Sequence, residues 1–240
     1  MIPAEETCVV TGAARGIGLA IVRALHEAGA RVVMSDVDRG TLAAEAAAFG
    51  SGRVHARAAD VTSPDDVGRL AAETEKIFGP VSVWVNNAGL ARHRKITDYT
   101  EAEIDLMLAV NLKGTILGSQ AALRAMQARR RGHIINIVST ASLRGIPTET
   151  VYCAAKWGAR GFTQGLREEA AASGVRVSAV LPGGVDTMFW REAAERTMPV
   201  ENFLTARQVA DAVVALVRMD DSVVPQELVL RAMKDRDFGT

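Results

Sequence analysis

The sequence predicts an α/β protein built on a doubly wound parallel sheet with helices on both faces, and three observations carry that prediction. Short apolar, β-branched runs alternate with stretches of helical periodicity along the whole chain. The first run leads through a glycine-rich turn directly into a helix pattern, the opening of a βα unit. No repeat, linker or low-complexity segment interrupts the alternation, so residues 1–240 read as one domain with ample material for a core.

Composition narrows the partners. Lys plus Arg and Asp plus Glu are equal at 28 each, which leaves no global field to gather nucleic acid or an anionic membrane. The first residues carry no basic and apolar leader, and no uninterrupted apolar run is long enough to cross a bilayer, so a cytoplasmic protein acting on a small molecule is expected. Cys8 and Cys153 make no disulfide framework. His26, His55, His93 and His133 are scattered without carboxylate or thiolate companions, and no metal site is expected.

The elements follow in order. Thr7 to Val10 is a strand that ends in Thr11-Gly12-Ala13-Ala14-Arg15-Gly16-Ile17-Gly18, after which Ile17, Ala20, Ile21, Ala24 and Leu25 recur with helical period. Glycines there either let the backbone approach a pyrophosphate at the helix start or merely shape the turn. A second strand, Arg31 to Met34, ends at Asp36, placed to accept from ribose hydroxyls 18 residues beyond Gly18. A weaker helix carries Leu42, Ala46 and Phe49, and a strand from Val54 to Ala58 leads to Asp60-Val61-Thr62. The next helix has Pro64 in its first turn, buries Val67 and Leu70, and stops at Gly79-Pro80. Val81 to Val85 then runs into Asn86-Asn87-Ala88-Gly89, either a tight turn or ligand contacts at the carboxyl edge of the sheet. A long helix is expected from about Thr100 to Arg130. Asn111 lies in its middle and invites a reason, the plainest being a bond to a nearby backbone carbonyl. Arg129 to Arg131 reads as a solvated helix end or a docking patch for an anionic partner. Ile134 to Val138 delivers Ser139 to the same edge, and Val175 to Leu181 delivers Pro182-Gly183-Gly184-Val185-Asp186-Thr187. Met188 to Asn202, with Phe189 and Trp190, reads as a mobile apolar lid or a plain helical hairpin. Val209 to Val217 marks a last helix and Glu227 to Leu230 a last strand.

Between the Ser139 and Pro182 segments lies Tyr152-Cys153-Ala154-Ala155-Lys156. Four residues is one helical turn, so the phenol and the ammonium share a face. A neighbouring cation favours phenolate over phenol, and the pair is expected to bring the tyrosine toward the range of a general acid or base.

Taken together, these residues resemble the short-chain dehydrogenase/reductase family of the classical type, over the chain as far as about Leu230. The glycine pattern, Asp60, the Asn86 to Gly89 run, Asn111, Ser139, the Tyr152 and Lys156 pair and Pro182-Gly183 stand in family order. The resemblance implies a Rossmann fold and an oxidoreductase moving hydride between a nicotinamide cofactor and a secondary alcohol or ketone. It implies Tyr152 as the proton-transfer group, Ser139 as the donor that orients the substrate oxygen, Lys156 as the cation holding the nicotinamide ribose, and Asn111 as the anchor of a water relay. Cofactor contacts are implied for Gly12, Arg15, Gly16, Ile17, Gly18, Asp36, Asp60, Val61, Asn87, Ala88, Gly89, Tyr152, Lys156, Pro182, Gly183, Val185 and Thr187. His93, Ser139, Leu143, Phe189 and Trp190 are expected to line the substrate pocket. Asp36 points to NAD, with NADP second because Arg15 precedes the second glycine. A homodimer or homotetramer is implied, the tetramer weakened by an end that reads Glu227-Leu228-Val229-Leu230-Arg231-Ala232-Met233-Lys234. The competing readings are an NADPH-dependent 3-oxoacyl carrier-protein reductase docking through Arg129 to Arg131, and a nucleotide-sensing regulator without turnover.

Overall fold

The computed structural model describes residues 6–50, 52–190 and 200–234. Strands and helices alternate as β1 (Thr7–Thr11), α1 (Gly16–Glu27), β2 (Arg31–Asp36), α2 (Arg39–Ala47), β3 (Val54–Ala58), α3 (Pro64–Phe78) and β4 (Val83–Asn86). They continue as α4 (Glu101–Leu108), α5 (Gly114–Gln127), β5 (Gly132–Ile137), α6 (Thr150–Ala171), β6 (Val175–Pro182), β7 (Val185–Asp186), β8 (Leu204–Thr205), α7 (Ala206–Arg218) and β9 (Glu227–Leu230). Seven strands form one parallel sheet in the order β3-β2-β1-β4-β5-β6-β9, while β7 and β8 pair separately. The strand order reverses at β1, which pairs with β2 on one side and β4 on the other. In such sheets the crevice opens at the carboxyl ends beside that reversal.

Successive strand residues point to opposite faces, and both faces are covered. Cys8, Val10, Val32 and Met34 pack with α1 and α7 on one face, and Val9, Val33, Trp84 and Ile134 pack under the α3, α5 and α6 side on the other. Both cysteines are buried free thiols.

Local signals set the helix ends. Ser63 caps α3 by accepting from Asp66 N–H at 3.3 Å, with Pro64 at the first position and Gly79 ending the helix at φ 82°. Thr100 and Glu103 form a capping box at α4. The long helix expected to reach Arg130 instead ends at Gln127 and is broken by a π-turn over Ala109–Lys113 centred on Asn111. Its span Glu101–Gln127 reaches a mean hydropathy of 1.2 and is long and apolar enough to cross a membrane by length and composition, although Lys113 interrupts the apolar run. Gly114, Gly118, Ala122 and Met126 lie on its buried face against the sheet.

Arg129 to Arg131 is an exposed helix end, as one of its two readings has it, and each arginine also makes a contact to the protein. Arg129 donates to the Val81 carbonyl and Arg130 to the Ala172 carbonyl at 3.0 Å, while Arg131 pairs with Glu6 at 2.6 Å and Asp221 at 3.0 Å. These bonds close the amino edge of the sheet, opposite the crevice.

Candidate active site

The first turn is shaped for close backbone approach. Gly12 has φ 62°, and a Cβ there would stand 2.7 Å from Ala88 Cα; at Gly18 it would meet the Gly12 carbonyl at 2.1 Å. Asn87 ties the turn to the neighbouring strand, its Nδ2 donating to the Thr11 carbonyl at 2.9 Å and the Gly12 carbonyl at 3.0 Å. No side chain caps the first turn of α1, so its amides face the crevice as an anion site. Asp36 stands beside that turn, accepting from Ala14 N–H at 3.1 Å and Asp38 N–H at 3.0 Å.

The middle of the crevice is set by β5 and α6. Ser139 follows β5, its Oγ accepting from Ala141 N–H at 3.0 Å and sharing a hydrogen bond with the Tyr152 phenol. Lys156, one turn along α6, donates to the Ile137 carbonyl at 3.2 Å and sets its Nζ 5.6 Å from the centre of the Tyr152 ring. Burial lowers the Lys156 ammonium to about 8. Burial also drives the Tyr152 phenol well above its ordinary value, with Ser139 opposing and Glu149 and Cys153 reinforcing the rise. The expected downward shift of Tyr152 is therefore reversed. Desolvation of the buried phenol is the largest cause of that rise.

A cleft of about 630 Å³ joins these parts. Of the expected cofactor set, Gly12, Arg15, Gly16, Ile17, Asp36, Asp60, Val61, Asn87, Ala88, Gly89, Tyr152, Lys156, Pro182, Gly183, Val185 and Thr187 line it, as do Ser139, Phe189 and Trp190. Four expected residues stand off the wall. Gly18 packs against the glycine turn, and Asn111 lies at 0% exposure, its Nδ2 donating to the Leu90 carbonyl at 2.7 Å and the Met107 carbonyl at 2.9 Å. That is the plain backbone-bonding role. Leu143 is 38% exposed, and Arg144 and Ile146 take its expected place on the wall. His93 lies behind the wall, its side chain 4% exposed and its Nε2 3.6 Å from Glu149 Oε1. Of the lid expected at Met188 to Asn202, residues 191–199 lie outside the described residues. Phe189 packs on Tyr152 at 6.0 Å between ring centres, and Trp190 on His93 at 5.6 Å. Glu149 and Phe203 also line the cleft and were missed. For Glu149 the signal was its place three residues before Tyr152, within one turn.

The chain matches the short chain dehydrogenase family model over residues 6–197. The chain belongs to that family. An uncharacterised oxidoreductase of Staphylococcus aureus (strain USA300) is 35% identical, the match covering 95% of this chain and 97% of the relative. A 2-(S)-hydroxypropyl-CoM dehydrogenase of Xanthobacter autotrophicus is 37% identical over 89% of each. Among solved structures, the alcohol dehydrogenase of Thermococcus sibiricus complexed with 5-hydroxy-NADP superposes with TM-score 0.88 at 30% identity, covering 96% of this chain and 98% of that one. Levodione reductase gives a TM-score of 0.86 at 27% identity, covering 95% and 96%. As a short-chain dehydrogenase the protein is a nicotinamide-dependent oxidoreductase of small molecules on a Rossmann fold. The glycine cradle and the uncapped start of α1 fit that cofactor's pyrophosphate.

Proposed function

We propose that this short-chain dehydrogenase transfers hydride between NAD and a secondary alcohol or ketone, with Tyr152 moving the proton. The observation that carries the reading is the convergence of Tyr152, Ser139 and Lys156 on one wall of the cleft that also runs over the glycine turn. The bound nicotinamide supplies or accepts the hydride. In reduction the carbonyl oxygen gathers charge as hydride arrives, and Tyr152 Oη gives it a proton while Ser139 Oγ holds it in place. In oxidation the same phenol oxygen, as phenolate, takes the hydroxyl proton as hydride leaves carbon. A pKa near 8 keeps Lys156 mostly protonated at neutral pH, so its charge stays available to the phenolate and its N–H groups to the nicotinamide ribose. Asn111 serves the proposed water relay indirectly, fixing the π-turn and the Leu90 segment beside Gly89.

On the cofactor side, Asp36 takes the adenosine ribose, Asp60 and Val61 border the adenine, and Thr187 meets the nicotinamide amide. Arg15 shares the mouth of that site, but it also sits close enough to Asp38 to help Thr41's hydrogen bonds hold that carboxyl low. Cofactor and substrate are handled by one domain. The exposed side of α4, with Leu106 45% exposed, and that of α6, with Trp157 49% exposed, fit a homodimer through these helices. The carrier-protein reductase reading is disfavoured by Asp36, which stands against NADPH on the adenosine side of the cleft.

The test is Tyr152→Phe, which keeps the packing on Phe189 and removes the proton donor. Turnover is expected to fall at least ~10²-fold with cofactor affinity retained. Near wild-type turnover would refute the proton-transfer role.

A further inference from the structure

Tyr152 and Lys156 begin a longer polar stripe on α6. Arg160 and Gln164 follow at the same one-turn spacing, and the stripe winds from the buried side of the helix toward solvent. The hydride chemistry uses only the first two. Arg160 is bonded on two sides: its Nε and Nη2 donate to Glu227 Oε1 and Oε2, each at 2.9 Å, and its Nη1 donates to the Ser142 carbonyl at 3.3 Å. Gln164 Nε2 adds a bond to Glu227 Oε1 at 2.9 Å. A guanidinium paired side-on with a carboxylate is fixed in position and plane, which a lysine ammonium could not reproduce.

Ser142 ties that fork to the site. Ser139 starts a single 3₁₀ turn over Thr140–Ser142, and its Oγ, which shares a hydrogen bond with the Tyr152 phenol, accepts from Ala141 N–H at 3.0 Å. The turn also closes on Ser139 from its far end, where Ser142 N–H and Oγ donate to the Ser139 carbonyl at 3.0 and 2.7 Å. The carbonyl that Arg160 holds is the last one of this turn. Behind Arg160 stands Glu227, the first residue of β9, which lies at the edge of the sheet beside β6. Arg167 steadies the residue before it, donating through Nη2 to the Gln226 carbonyl at 2.8 Å. The Arg160 and Glu227 side chains are only 25% and 21% exposed, so this is a sheltered, two-pronged pair rather than a loose surface contact.

We propose that Arg160, anchored by Glu227, is a positioning residue that sets the orientation of the Ser139 hydroxyl through the Ser142 carbonyl, a proposal that rests on the oxidoreductase reading above. The last strand of the sheet then takes part in holding the substrate oxygen. Misplacing a reacting group by about 1 Å can cost ~10²-fold in rate, and a turn released at its far end is expected to cost a part of that.

The experiment follows oxidation of 2-butanol and cyclohexanol with NAD in Arg160→Met, Glu227→Gln and Ser139→Ala, singly and in pairs. Arg160→Met is expected to lower kcat/KM about tenfold while changing the dissociation constant of NAD less than about twofold. In the Ser139→Ala background the same substitution should cost less than about twofold further, because the hydroxyl that it orients is gone. Equal losses in both backgrounds would mean that Arg160 supports the fold in general and would overturn the positioning role, as would an unchanged kcat/KM in Arg160→Met. Glu227→Gln keeps the shape of the anchor and removes one acceptor, so it carries the same comparison should Arg160→Met fail to fold. Its loss should lie in the same direction, and a wild-type rate would remove the anchor. Failure of the oxidoreductase reading looks different: wild type oxidises neither alcohol with NAD or NADP. Hydrogen exchange then decides alone. Faster exchange over residues 139–143 in Arg160→Met or Glu227→Gln supports the link to Ser139, and unchanged exchange there overturns it.

Discussion

Asp36 is held by two backbone amides at 3.0 and 3.1 Å, so its carboxylate cannot swing away from whatever occupies the adenosine side of the cleft. Toward ribose hydroxyls it is an acceptor of charge-assisted bonds. Toward the added phosphate of NADP it is a fixed negative charge, and at an effective ε of 20 each unit pair at 4 Å costs about 4 kcal/mol before relaxation and screening. Asp36→Ala is therefore expected to weaken NAD and strengthen NADP by about tenfold or more each, read as four dissociation constants. A wild-type preference for NADP, or no change on substitution, would defeat the NAD proposal. At this scale the sequence was legible wherever a residue's type alone states its use. Gly12, Gly16, Gly89, Gly183, Asp36, Ser139, Tyr152 and Lys156 border the cleft as expected. It was illegible wherever the environment decides. The direction of the Tyr152 shift depends on burial that no spacing of Tyr and Lys reveals, and His93 and Leu143 needed a loop path that periodicity does not set.

Helix α5 lies so close to β4 that Gly118 touches the sheet. A Cβ at Gly118 would stand 2.0 Å from Asn86 Oδ1, an atom already accepting from Trp84 Nε1 at 2.8 Å. The same Asn86 donates through Nδ2 to Ser119 Oγ at 2.9 Å and Asn136 Oδ1 at 2.8 Å, and Asn136 donates on to Thr163 Oγ1 at 2.9 Å. This buried chain binds β4, α5, β5 and α6 into the floor beneath Ser139 and Tyr152. Gly118→Ala is expected to destabilise by about 1–3 kcal/mol in urea unfolding, because the added methyl must displace a satisfied polar network. Gly165→Ala is the contrast. Nothing stands within 4 Å of its Cβ position in α6, so a gain of about 0.5–1 kcal/mol is expected there. If both variants shifted equally, the close approach would not be what Gly118 supports. Element positions were largely readable from period and caps, as at Ser63-Pro64 and Thr100. The π-turn was not, because one extra residue in a helix leaves only an odd polar side chain, Asn111, as its trace. Asn86 left both of its readings open, and it serves the core.

For the whole molecule, the proton held by Lys156 is a folding variable. Its folded pKa near 8 lies below the ordinary 10.5, so between those values the unfolded chain binds the proton and the folded chain does not. Stability from this group therefore rises as pH increases through 8 and levels off near 10.5. The whole interval is worth about 3 kcal/mol. Other buried groups run the opposite way: Tyr152, Cys8 and Cys153 have raised values, so above their ordinary pKa values the unfolded chain loses protons that the fold retains, and stability falls. The Lys156 contribution is isolated by difference. Lys156→Met lacks it, so its stability advantage over wild type should shrink by about 1–2 kcal/mol between pH 8 and pH 9.5 in paired urea titrations without cofactor. Parallel curves over that range would mean that the folded site does not depress Lys156. With saturating NAD the window should narrow, because ribose hydroxyls accepting from Nζ favour the charged form and raise the folded pKa. Proton linkage to global stability would then read out the contact between cofactor and lysine without any turnover.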